Sequence, residues 1–221
     1  MIDPTQRDAP ITVLLADDHA IVRMGFRLLL ETAGNCRVVG EAESGEEAFS
    51  LYFRVKPDVL IIDIAMPGIG GLEAVNRIRT RDPSARMLVL SAHEDGSYPR
   101  RALQAGALGY LSKRGAPTEL LQAVALVARG STYIEPSIAQ RLALQGVHGT
   151  CDPVDALSER EFEVFVHLAG GKSVAQIGEL LSLSPRTVGT HLYNIKQKLH
   201  VRNAAELTLI ALRSGLLSEG M

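Results

Sequence analysis

The sequence predicts a doubly wound α/β domain with a five-stranded parallel sheet, followed by an all-α helix-turn-helix domain. Three observations predict this. Short continuous apolar runs, each followed by a helical pattern, recur up to residue 130. After residue 154 only helical patterns remain. Acids, a serine and a lysine stand at the ends of the apolar runs, where an open parallel sheet binds ligands.

The chain has 221 residues, enough for one large domain or two small ones, and 46% of them are hydrophobic. Its net charge of −2 excludes global attraction to nucleic acid or membrane, so any DNA-binding surface must be local. No apolar run approaches the roughly 20 residues that span a bilayer. The N-terminus is polar and lacks an apolar signal core, so a cytoplasmic location is expected. Cys36 and Cys151 lie far apart, which argues against structural zinc and against a disulfide framework.

Residues 1–10 read as a frayed tail. Ile11–Ala16 is a buried-strand run that ends in Asp17-Asp18, a like-charged pair that must be solvated or share a cation. From Ala20 to Leu30, apolar residues fit a helix packed on a sheet. Cys36–Gly40 is a short strand. Ser44 and Glu47 have capping-box spacing at the start of a helix that runs to about Val55.

Val59–Ile64, bounded by Pro57 and Pro67-Gly68, is a strand buried on both faces and interrupted by Asp63. A carboxylate there is costly to bury unless it meets a cation or donors. A helix over Leu72–Arg81 follows, then a strand Arg86–Leu90 ending at Ser91. Next come a helix near Pro99–Ala105, a strand Ala107–Leu111 ending near Lys113, and a helix from Pro117 to Arg129. Asp17, Asp18, Asp63, Ser91 and Lys113 therefore all fall at the carboxyl edge of one sheet. Three carboxylates suit Mg²⁺. Mg²⁺ with a lysine can neutralise a transferring phosphoryl group, and Asp63 can act as its nucleophile.

Residues 131–136 read as turn-like and Ser137–Leu144 as a short helix. Residues 145–154 are polar and glycine-containing, so 131–154 is expected to be a linker. Then come Ser158-x-x-Glu161 opening a helix that stops at Gly170-Gly171, and Ser173 with Gln176 opening the next. Ser184 caps a third helix with Pro185 at its first position, running to about Leu199. A last helix covers Ala204–Arg213. No acid stands between Glu179 and Glu206, while that interval holds Arg186, Lys196, Lys198 and Arg202. That is the local basic patch that phosphate contacts require.

Residues 11–130 resemble a response-regulator receiver domain of the flavodoxin-like fold. The resemblance rests on Asp17-Asp18, on Asp63-Ile64-Ala65-Met66-Pro67-Gly68, on Ser91-Ala92 and on Tyr110 with Lys113. It implies that Asp63 is the phosphoacceptor. Asp17, Asp18, Asp63 and the Ala65 carbonyl would hold Mg²⁺. Ser91, Lys113 and Tyr110 would be the switch hydroxyl, the invariant lysine and the switch aromatic. Residues 155–217 are similar to the LuxR-type DNA-binding domain through Leu157–Glu161, Ile177, Leu183–Ile195 and Lys198-Leu199. That implies a helix from Pro185 in the major groove. Arg186, Thr187, Thr190, His191, Tyr193, Asn194, Lys196 and Lys198 would contact DNA or support the helix. Gly189, where lysine is frequent, weakens the contact per subunit, so binding is expected to lean on dimerisation.

Together these features resemble a NarL/FixJ-type two-component regulator. The resemblance implies a sensor histidine kinase, double-stranded DNA and a second copy as partners, and a regulator rather than an enzyme. A Mg²⁺-dependent aspartyl-phosphate hydrolase would need an acid where Ala65 stands. A receiver controlled by protein partners without phosphorylation is the alternative, and the intact acidic set argues against it.

Overall fold

The computed structural model describes residues 9–92, 97–115, 117–147, 153–214 and 216–217. Most of the N-terminal tail, Cys151 and part of the expected linker lie outside them. The strands are β1 (Ile11–Ala16), β2 (Cys36–Ala42), β3 (Val59–Asp63), β4 (Met87–Ser91), β5 (Gly109–Ser112) and β6 (Tyr133–Ile134). The helices of this half are α1 (Ala20–Thr32), α2 (Gly45–Val55), α3 (Gly71–Arg81), α4 (Ser97–Gln104), α5 (Pro117–Ala128) and α6 (Pro136–Val147). A 3₁₀ turn at Pro153–Ala156 leads to α7 (Glu159–Ala169), α8 (Val174–Leu180), α9 (Pro185–Leu199) and α10 (Ala204–Arg213).

All pairings are parallel, in the order β2-β1-β3-β4-β5-β6. Successive side chains of a strand point to opposite faces, so each central strand feeds two cores. Leu60 and Ile62 of β3 pack with α2, α3 and α4, whereas Val59 and Ile61 pack with α1 and α5. The residues of β3 and β4 are buried throughout, as helices on both sides require.

The expected five strands gain a sixth. Tyr133 N–H donates to the Leu108 carbonyl and Glu135 N–H to the Tyr110 carbonyl, which extends the sheet beyond β5. Two residues carry no alternation, so the segment 131–136 reads as a turn in the sequence. The helix expected at Ser137–Leu144 runs longer, over Pro136–Val147. At Ser44 the box is only half formed: its side chain caps Glu47 N–H, but the Glu47 carboxylate accepts from Glu43 N–H. Both boxes of the helical half, Ser158/Glu161 and Ser173/Gln176, are complete.

Helix α1 buries less than its composition promises. Ile21, Met24 and Leu28 lie on its outer face and are 81%, 65% and 68% exposed. The two halves share a continuous apolar cluster. Tyr98 of α4 meets Phe162 of α7 edge to face, with ring centroids 5.0 Å apart.

Candidate phosphoacceptor pocket and DNA-binding face

The register of the sheet builds the pocket. Ala16 pairs with Ile62, which sets Asp17 beside Asp63 at the ends of adjacent strands. Asp63 pairs with Leu90, so Ser91 lies one step beyond it, and Ser91 pairs with Ser112. Lys113 follows, its N–H donating to the Ser91 carbonyl at 2.8 Å. From there its side chain crosses the end of β4. Nζ lies 2.5 Å from Asp17 Oδ2 and 2.7 Å from Asp63 Oδ2. Asp63 is 3% exposed.

Two opposing forces act on these groups. Burial pushes the Asp63 carboxyl above its ordinary range, and the negative Asp17 adds to this; the Lys113 ammonium and the Ala65 N–H pull it back down. For Lys113, burial opposes the charge, but Asp63 and Asp17 outweigh it and hold the ammonium above the usual lysine value. The pocket therefore carries a firm positive charge against a carboxylate that water solvates poorly.

The chain behind Asp63 turns sharply. Gly71 N–H donates to the Ile64 carbonyl, and a Cβ on Gly71 would collide with the Asp63 carbonyl. Only glycine lets α3 start this close to the strand end.

Of the residues expected in the site, Asp17, Asp18, Asp63 and Lys113 converge. Ser91 is fully buried at the end of β4, and the Ala65 N–H reaches Asp63. Tyr110 points away from the pocket edge into the core on the α4 side. Sequence reasoning passed over His19. Its Nδ1 lies 2.7 Å from Asp18 Oδ1 and 3.2 Å from Asp17 Oδ1, directly after the acidic pair in sequence. One ligand atom each from Asp17, Asp18, His19 and Asp63 lies within 4.8 Å of the others, so these residues could hold a divalent cation. An oxygen-rich set of this kind fits a hard ion.

The second candidate surface is built by α8 and α9. Gly178 lets the turn between them close: Leu183 N–H donates to its carbonyl at 2.8 Å, and a Cβ there would crowd the Leu183 carbonyl. Ser182 takes the left-handed conformation at φ 53°. Ser184 accepts from Thr187 N–H and Pro185 fills the first turn of α9. Val188, Ile195 and Leu199 face the core. Arg186, Gly189, Thr190 and Tyr193 are exposed, while Thr187, Asn194 and Lys196 are half-buried.

Three side chains have local tasks. Thr190 Oγ1 donates to the Arg186 carbonyl, and Lys198 Nζ bonds Glu161 at 2.6 Å, bracing α9 on α7. Burial costs Glu161 something as an anion, but Lys198 and the Ser158 N–H outweigh this and hold its carboxyl low. His191 is half-buried, and burial, with Arg160 adding to it, holds its pKa below the ordinary histidine value.

The receiver half contacts the helical half through α3 and α4. Arg101 of α4 is 3% exposed. Its guanidinium donates to the carbonyls of Val154 and Leu157, reaches Glu159 at 3.3 Å and stands 4.1 Å over the Phe162 ring. Arg100 pairs with Asp155 at 2.9 Å. The buried Glu163 of α7 sits against Gly70, at the start of α3, and pairs with Arg160.

Residues 13–125 match the family described as Response regulator receiver domain, and residues 155–211 match Bacterial regulatory proteins, luxR family. The response regulator GacA of Pseudomonas protegens is 42% identical over 212 residues, covering 96% of this chain and 100% of GacA. RcsB of Salmonella enterica serovar Typhimurium, solved bound to promoter rprA in the presence of phosphomimetic BeF3−, superposes with a TM-score of 0.64 at 29% identity. That match covers 91% of this chain and 98% of RcsB. A structure of two RcsB dimers bound to two parallel DNAs gives 0.58 at 29% identity, over 93% of this chain and 98% of that one. Among the described residues, no helix is long and apolar enough to cross a membrane.

Proposed function

We infer that this chain, which belongs to the NarL/FixJ-type response regulators of two-component systems, a family of phosphorylation-dependent DNA-binding regulators of transcription, takes its phosphoryl group on Asp63 and reads DNA with Pro185–Leu199. The observation that carries the site assignment is Lys113 Nζ, held between Asp17 and Asp63. The working units are a receiver over 11–130, a linker over 131–154 and a DNA-binding half over 155–217. The chain acts in the cytoplasm as a regulator, not as an enzyme with turnover.

An oxygen of Asp63 attacks the phosphorus of a phosphohistidine on a sensor histidine kinase. A P–O bond forms, the P–N bond breaks, and the kinase imidazole leaves with the electron pair. Lys113 neutralises a phosphoryl oxygen, and Ser91 turns its hydroxyl toward another. Asp17, Asp18, Asp63 and the Ala65 carbonyl would hold Mg²⁺, which supplies further positive charge to the phosphoryl oxygens. The exposed stripe of Ile21, Met24 and Leu28 lies on the helix that follows the acidic pair, where the donor must dock.

Phosphorylation replaces the single charge of the buried Asp63 with a larger, more negative phosphoryl group whose three oxygens are strong acceptors. Lys113 can no longer serve two carboxylates as before, and Tyr110 shifts with β5. The seam through α3 and α4 loosens, the helical half is released, and two copies read half-sites related by a two-fold axis. Arg186, Thr190, Tyr193, Asn194 and Lys196 face the DNA. Thr187, His191 and Lys198 hold the helix in place.

The test is intact mass after incubation with acetyl phosphate and Mg²⁺, for wild type and Asp63→Asn, with sedimentation on the same samples. A single phosphoryl adduct in wild type alone, with a shift toward dimer, is expected. No adduct under any condition, or the same adduct in Asp63→Asn, overturns the assignment.

A further inference from the structure

We propose that His19 is a nitrogen ligand to the cation of the acidic pocket and tilts that pocket toward Mn²⁺ over Mg²⁺. The proposal rests on the reading of Asp17, Asp18 and Asp63 as cation ligands.

His19 stands at the N-cap of α1, yet its side chain makes no capping hydrogen bond. Its backbone N–H donates instead to Asp17 Oδ1 at 2.9 Å, and this bond folds the residue back over the pocket. The ring then places Nδ1 at 2.7 Å from Asp18 Oδ1 and 3.2 Å from Asp17 Oδ1. Ligand atoms on adjacent corners of an octahedron, each roughly 2.1 Å from the ion, stand about 3 Å apart. The two observed separations bracket that value.

The Asp17 carboxylate divides its work in a way that fits. Its Oδ2 faces Lys113 and its Oδ1 faces His19, so the lysine and the imidazole stand on opposite sides of one acid. Asp63 likewise gives Oδ2 to Lys113. A cation entering from the Asp18 side therefore meets Asp17 Oδ1, Asp18 and the imidazole without displacing the lysine. The His19 side chain is 64% exposed, so a ring nitrogen can turn to an ion at little cost in desolvation.

The competing account of the same geometry is a ring N–H donated to two acids. The two differ in chemistry. As a donor, the ring makes no distinction between divalent ions. As a ligand, it adds a borderline nitrogen to an all-oxygen set. Carboxylates and water suit Mg²⁺ and Mn²⁺ alike, whereas imidazole suits transition ions. Mn²⁺ accepts both and is paramagnetic, which makes it the probe.

The experiment uses the full chain loaded with Mn²⁺ alone, as wild type, His19→Asn and Asp63→Asn. Pulsed EPR of wild type is expected to show modulation from a directly bound nitrogen, lost in His19→Asn. Competition titrations should show His19→Asn losing Mn²⁺ affinity by roughly tenfold, the scale on which a lost supporting group weakens a metal site, with Mg²⁺ affinity nearly unchanged. Mn²⁺ that binds in an Asp63-dependent way without nitrogen modulation overturns the role of His19 and leaves the acidic pocket standing. Equal weakening of both ions in His19→Asn does the same. Absence of any Asp63-dependent Mn²⁺ binding overturns both readings. Because His19 is exposed, the variant is expected to fold, and circular dichroism of the same samples checks it.

Discussion

At the carboxyl edge of the sheet, Lys113 lies between Asp17 and Asp63, with Asp18 and His19 at the rim. At the seam between the halves, Arg101 lies among two backbone carbonyls, Glu159 and the Phe162 ring. Both clusters bury charge, but their balance differs. The edge has three carboxylates and one ammonium, so it is short of positive charge and open on one side. The seam gives its guanidinium a set of acceptors and a ring face. The side chains match these tasks. A lysine is a point charge on a flexible stem that can be shared and redirected, whereas a guanidinium is a rigid fork that fixes several partners at once. A cluster short of cations is a site, and one whose charges pair across two elements is a joint.

The largest effect is expected from breaking the joint. Arg101→Ala leaves the half-buried Glu159 without its cation and two carbonyls without their donor. Removing one partner of a buried pair costs about 3–5 kcal/mol. The loss falls on docking, because Arg101 and all these partners lie in the seam. Small-angle scattering should show an expanded chain in the absence of phosphate, and thermal unfolding should resolve two transitions where wild type has one. A variant as compact as wild type, unfolding in one step, would mean that the apolar contacts around Tyr98 hold the seam without Arg101.

Glu163 sharpens the contrast, being a carboxylate in the seam that is poorly served. Burial raises its pKa to about 7, with Glu159 and Glu73 adding to the rise and Arg160 opposing it. The folded value stands above that of an unfolded glutamate. Between the two the native state binds the proton more tightly, so stability falls as pH rises through that window and levels off above about 7. The whole change is about 3 kcal/mol. Glu163→Gln should match wild type near the acid end of the window, where Glu163 is protonated, and exceed it on the alkaline side. Urea unfolding at both ends reads this directly. Parallel pH profiles for the two proteins would sink the idea.

Much of the edge was legible in the sequence, and almost none of the seam. Asp63 interrupts a buried run, Lys113 follows another, and a parallel sheet brings such ends together whatever the details. Ser158, Ser173 and Ser184 announced their helices because capping is local. Arg101, by contrast, stands beside Arg100 in a short helix and looks like a solvated residue. Its partners lie more than 50 positions away, and no periodicity links them. Tyr133–Ile134 was missed because two residues are too few to alternate. His19 sits in plain view beside Asp18, but only the fold of the residues before α1 turns its Nδ1 onto the acidic pair.

The smallest expected effect comes from an uncharged position on the DNA-reading face. Gly189 lies on the outer face of α9 and is absent from the positive-φ positions, and a Cβ there meets nothing within 4 Å. Its glycine thus has no conformational excuse in the free protein, and Gly189→Ala should stabilise the helical half by about 0.4–1 kcal/mol. Thermal denaturation checks that gain. DNA titration of the same variant asks a separate question. If glycine is there only as a missing contact, alanine leaves DNA affinity unchanged or slightly improved. If affinity falls while stability rises, the position is kept bare so that the helix backbone can approach the duplex closely, and the weak contact per subunit becomes a feature of how α9 seats in the groove.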